Sequence, residues 1–188
     1  MKQLNFPTFM VRAGLFALCT LALAGCIDSS SPILPESQPV FGQKLRLQFY
    51  GLRKGIARDP EQAVYTWNGS LYAHSGGGMK DVGAFSLHPF EAGDYIIQSV
   101  PAKRTRITEY AVLHTLVDGV FQVIAIDEDD ADEPTRAAYC KKVENSACRV
   151  ETREQLFAFA RATAARRKDD GGLAIRLPDG PERPARKR

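Results

Sequence analysis

At 188 residues the chain has room for one ordinary domain with tails, and a composition of 44% hydrophobic and 25% charged side chains excludes a disordered or fibrous polypeptide. The formal net charge is +3; Lys2 and Arg12 are the only charged residues among the first 25, and without them the 25 basic side chains fall to 23 against 22 acidic ones. A balance so near zero excludes the strong basic face of a nucleic-acid-binding protein.

Lys2 and Arg12 lead into an apolar run over residues 13–25 (AGLFALCTLALAG). A bilayer-spanning helix needs about 20 apolar residues, so this shorter run reads as the core of an export signal, residues 1–25, that is removed on maturation. The run ends in Leu23-Ala24-Gly25-Cys26, which resembles the lipobox of bacterial lipoproteins. The resemblance covers residues 1–26 and implies a diacylglycerol on the Cys26 thiol, cleavage before Cys26, and a membrane anchor in which each buried methylene contributes about 0.8 kcal/mol. In enterobacterial sorting an Asp after the cysteine retains a lipoprotein in the inner membrane. Here that residue is Ile27. The resemblance therefore implies the outer membrane, facing the periplasm, with the outer leaflet of the cytoplasmic membrane as the alternative.

Residues 27–42 (IDSSSPILPESQPVFG) are rich in Ser and Pro and lack periodicity. With Cys26 they read as a flexible tether over residues 26–42, which puts the folded domain at residues 43–177. Residues 44–50 (KLRLQFY) alternate apolar with polar side chains, the pattern of a half-buried strand. Asn68-Gly69 between AVYTW and SLYAHS predicts a hairpin with a two-residue turn. That turn would set Trp67 opposite Ser70 and Tyr65 opposite Tyr72, the three aromatics sharing one face. A second hairpin joins residues 84–88 to 95–100 through residues 91–94. A third joins residues 106–117 to 120–126 through Asp118-Gly119, and its register sets His114 opposite Val123 and beside Phe121. Both faces of that last pair are apolar, which belongs in mid-sheet or between layers.

The period then changes. Pro134 opens a short helix over residues 134–142, and Thr152 with Gln155 forms a capping box for a second helix reaching about residue 167. Leu156, Phe159, Ala160 and Thr163 give that helix a narrow apolar stripe, and residues 173–177 (LAIRL) read as a final strand. Residues 178–188 (PDGPERPARKR) are too charged and Pro-rich to pack and read as a disordered basic tail. Basic side chains from Arg161 to Arg188 in this C-terminal part could touch anionic lipid headgroups. The fold class is therefore α+β: a mostly antiparallel sheet, a meander of hairpins, followed by two helices and a short final strand.

Of the four cysteines, Cys19 lies in the segment read as the signal, and Cys26 is the one that the lipoprotein resemblance implies is acylated. Cys140 and Cys148 reach an oxidising compartment and read as a disulfide, since their spacing is not Cys-x-x-Cys and no histidine stands near. The acidic run of residues 127–133 offers Asp127, Asp129, Asp130 and Asp132 as candidate ligands for a hard cation. It departs from an EF-hand loop, however, and acids also collect at helix N-termini, where the dipole favours them. Ser75-Gly76-Gly77-Gly78 lacks the context of a phosphate loop and reads as a connection.

His74, His88 and His114 come with no nucleophile elbow and no paired-histidine motif, and His114 reads as packed. No cofactor is indicated. Two classes of function follow. One is a non-catalytic envelope module, membrane-bound through its lipid, that contacts another envelope protein or a wall component. Its candidate surface is the hairpin of Tyr65, Trp67 and Tyr72, unless that face is core. The other is a small hydrolase or metal-dependent enzyme using a histidine with residues 127–132.

Overall fold

In a computed structural model of the chain, the described residues are 27–53, 56–57, 60–78, 83–100, 108–142, 148–166 and 171–179. The signal segment, Cys26 and the tail beyond residue 179 lie outside them. Eight strands, β2 (Lys44–Arg53), β4 (Glu61–Trp67), β5 (Tyr72–Gly77), β6 (Ala84–Pro89), β7 (Tyr95–Val100), β8 (Thr108–Val117), β9 (Val120–Ala125) and β12 (Gly172–Arg176), pair antiparallel with their chain neighbours. Because β12 also pairs with β2, the sheet closes on itself as an up-and-down barrel, and the two-residue β3 (Ile56–Ala57) pairs with the far end of β2. The expected meander is there. Its closure was not expected, and the final strand is the stave that supplies it.

Alternation along the strands sorts side chains to the two faces. Leu45, Leu47 and Phe49 of β2 point inward with Tyr65, Tyr72, Phe85, Leu87, Leu113, Phe121 and Ala174, while Lys44, Arg46 and Gln48 point out. This polarity is the reverse of a membrane-spanning barrel, whose apolar band faces lipid. Among the described residues no helix is long and apolar enough to cross a membrane.

A second core lies on the outside of β7, β8 and β9. The insertion between β9 and β12 carries a 3-10 turn (Glu128–Asp130), α1 (Glu133–Tyr139), β10 (Lys141–Lys142), β11 (Cys148–Arg149) and α2 (Arg153–Arg166). Leu156, Phe159, Ala160 and Thr163 of α2 are all fully buried, the three apolar ones packing in one cluster with Ile96, Val112 and Ile124. The capping box is formed: Gln155 Oε1 accepts from the Thr152 amide at 3.0 Å, and Thr152 Oγ1 accepts from the Gln155 amide at 3.3 Å. Cys140 and Cys148 are joined by a disulfide, Cα atoms 5.2 Å apart.

Three local readings change. The first hairpin has a four-residue connection: Trp67 pairs with Tyr72 and Tyr65 with His74, because Asn68 folds its side chain onto the amides of Ser70 and Leu71 at 3.1 and 2.9 Å instead of adopting a two-residue turn. In the third hairpin Val117 pairs with Val120 as the Asp118-Gly119 turn requires, but a bulge at Leu116 moves His114 opposite Gln122 and Leu113 opposite Val123.

The third concerns the tether. Residues 27–29 form β1 (Ile27–Ser29), held between β8 and β11, with Ile27 1% exposed. The amides of Ile33 and Leu34 donate to Gln98 Oε1 at 3.1 and 3.0 Å, and Leu34 is buried. Residues 27–42 are therefore a strap packed on the barrel, and the domain boundary moves back from residue 43 to residue 27. Pro and Ser removed the periodicity without removing the anchors, which are Ile27, Ile33, Leu34 and Phe41.

Candidate functional site

The three hairpin connections β4–β5, β6–β7 and β8–β9 all lie at one rim of the barrel, and Phe41 closes that rim. Its ring meets Tyr95 and Phe121 at centroid distances of 5.6 and 5.2 Å, and the Arg176 guanidinium lies 5.5 Å from its centroid. Tyr72 fixes the strap there: its hydroxyl accepts from the Phe41 amide at 2.9 Å and donates to the Gly42 carbonyl at 3.0 Å.

Above this plug the interior is unfilled. A cavity of ≈ 180 Å³ runs towards the opposite rim. Its lining includes a row of small residues, Ala111 of β8, Ala125 of β9, and Gly172 and Ala174 of β12, which fill less of the lumen than the rings of Phe49, Tyr65 and Phe85. Gly171 precedes β12 with φ +111°, and a Cβ there would strike the Val123 carbonyl oxygen. Ala125 lines the cavity yet is exposed, so among the described residues the space opens at this rim. Eight strands enclose a lumen that side chains fill or that holds one small ligand. Here the small residues leave it partly empty.

The lining is apolar except at the mouth, where Ser99 and Glu109 sit on β7 and β8. The Ser99 hydroxyl donates to the Glu109 carbonyl oxygen at 3.1 Å. Glu109 is partly buried and lies opposite Asp28 in the β1–β8 register, so the two carboxyl groups share a face. Burial first, and the Asp28 charge second, raise the Glu109 pKa. Arg149 of β11 pairs with Asp28 at 3.0 Å. No protein-family profile, curated protein or solved structure matches the chain.

The residues singled out from sequence are dispersed around this cavity. Tyr65 and Tyr72 are core residues inside the barrel and Tyr65 lines the cavity, so the aromatic hairpin presents no outer face; Trp67 is partly buried beside Tyr72, with ring centroids 5.1 Å apart. Burial pushes the Tyr65 hydroxyl pKa up. In the acidic run, Asp127 accepts from the Asp129 amide at 3.0 Å, Asp132 caps α1 by accepting from the Thr135 amide at 2.9 Å, and Asp129 lies 3.6 Å from Arg136. Among the described residues the one set of three converging donor atoms is Glu128 with Cys140 and Cys148, whose sulfurs already form the disulfide. The four aspartates do not converge.

The histidines have separate surroundings. His74 faces inward beside the Tyr65 ring, at a centroid distance of 5.8 Å. His88 hydrogen-bonds Ser86 Oγ through Nε2 at 2.8 Å on the covered outer face of β6. His114 is not packed: its side chain is 38% exposed and pairs with Asp94 at 2.7 Å beside the β6–β7 turn. Sequence reasoning passed over Phe41, Glu109, Gly171 and Ala174. Parity could have found Glu109, since residues 109, 111 and 113 alternate onto the inward face; Phe41 was hidden by its Pro-rich surroundings.

Proposed function

We propose that the chain is a membrane-tethered envelope lipoprotein whose barrel is a non-catalytic module binding one small apolar ligand. The observation that carries the reading is the ≈ 180 Å³ apolar cavity, stoppered by Phe41 at one rim and, among the described residues, open at the other. An apolar cavity of about 150 Å³ takes up benzene-sized guests and stays dry without them, so the ligand has on the order of six carbons in contact with the wall. The tether rests on the lipobox-like Leu23-Ala24-Gly25-Cys26; the polar barrel exterior leaves the acyl chains to supply the membrane affinity.

Two experiments test the two halves. Hexan-1-ol, followed by chemical-shift changes of the interior aromatic rings, binds the wild type and fails to bind Ala111→Leu and Ala174→Leu, whose added methyl groups occupy the cavity. Equal binding in a folded filled variant, or no binding to the wild type at millimolar alcohol, overturns the cavity reading. Labelling in cells with a palmitate analogue marks the wild type and not Cys26→Ala; label retained in the variant overturns the tether.

A further inference from the structure

We propose that Glu109 makes the cavity selective for an amine, so that the ligand is a small apolar molecule carrying a protonated amino head at the mouth of the barrel. This rests on the cavity reading above and adds the chemistry of the head group.

Among the described residues, Glu109 is the one charged side chain in the cavity lining. It stands at the rim where the small residues open the lumen, with the apolar wall running inward from it. The hydroxyl of Ser99, the neighbouring polar group, is engaged with the Glu109 backbone carbonyl and turns no donor towards the carboxylate. Asp28 lies opposite on the same face and adds a second negative charge. Arg149 of β11 pairs with Asp28 at 3.0 Å and offsets that charge, which leaves Glu109 as the carboxylate to be answered. Among the described residues no ion pair is made to Glu109.

Two effects disfavour a charged Glu109, burial and the Asp28 carboxylate, and an ammonium group seated there relieves both: it is an opposite charge within contact distance and supplies three N–H donors. A carboxylate head, as on a fatty acid, meets repulsion from the Glu109 carboxylate. A neutral alcohol gains the wall contacts and no ion pair.

Titration calorimetry at about pH 8, with hexylamine, hexan-1-ol and hexanoate as probes, separates these cases. In the wild type hexylamine binds about tenfold tighter than hexan-1-ol, the size expected of one charge-assisted hydrogen bond in a partly desolvated site, and hexanoate binds weakest. Glu109→Gln loses the amine preference, gains affinity for hexanoate and still binds hexan-1-ol, which also shows that the variant is folded. An amine preference that is absent in the wild type, or that survives in Glu109→Gln while hexan-1-ol still binds, overturns the head-group assignment and leaves the cavity reading standing. Failure of hexan-1-ol to bind the wild type overturns both.

Discussion

His88 illustrates how a polar residue is accommodated outside the barrel. It is 6% exposed, accepts or donates one hydrogen bond with Ser86, and Ser86 in turn receives Gln98 Nε2 at 3.4 Å, while Gln98 Oε1 anchors the strap. Burial, and then the nearby Arg153 charge, lower the His88 pKa from the usual 6.5 to about 4. The unfolded chain therefore takes up a proton near pH 6.5 that the folded chain refuses until about pH 4, so the stability contributed is full above pH 6.5 and declines as pH falls through that window. The loss reaches about 3 kcal/mol at one pKa unit per 1.36 kcal/mol. Urea denaturation at pH 7.5 and 4.5 should show it, and His88→Gln should shrink the difference between the two. At the other rim, Gly171→Ala combines a φ of +111° with a clash on the Val123 carbonyl. It should lower stability by about 2 kcal/mol or more, read from thermal unfolding.

At the scale of elements, the positions of the turns were legible and their registers were not. Asn68-Gly69 and Asp118-Gly119 do mark hairpins, because Gly at positive φ is a local requirement: Gly69 has φ 103° and Gly119 φ 76°. The Leu116 bulge left no such mark. Its residue is 46% exposed and any side chain fits, so nothing local announces the extra position. The capping box was legible for the same reason as the turns, since its hydrogen bonds join residues three apart. Thr152→Ala should cost about 1 kcal/mol, measured by the urea midpoint. The disulfide closes a short loop against the second core, with Cys148 fully buried. Replacing both cysteines with Ser should cost about 2–3 kcal/mol by the same measurement; an unchanged midpoint would rule out a stabilising role for the bridge.

For the molecule as a whole, closure decides both shape and lumen, and closure depends on the most distant strand pairing among the described residues: Gly172–Arg176 lies against Leu47–Gly51 of β2, with partners 121 to 129 residues apart. Alternation in β2 and the apolar faces of β8 and β9 predicted a sheet with a covered side. They did not predict that its edges meet, since strand pairing over such separations leaves no periodic trace. The lumen was equally hidden, because Ala111, Ala125 and Ala174 look neutral in sequence and become informative only when adjacent strands bring them together. Phe41→Ala should open the stoppered rim, shorten the residence time of a bound alcohol in exchange NMR, and lower stability by about 2–3 kcal/mol.

The strand β1 has a consequence for the order of maturation. Its first residue, Ile27, donates its amide to Ile126 at 3.2 Å and is sealed into the sheet edge. If Cys26 is the acylated residue, the processing enzymes act on a bond whose next residue is locked away in the finished fold. On the proposed tether, acyl transfer and signal removal then precede docking of this strand. A prefolded precursor should be cleaved more slowly than one caught during export, and a short Gly-Ser insertion after Cys26 should erase the difference.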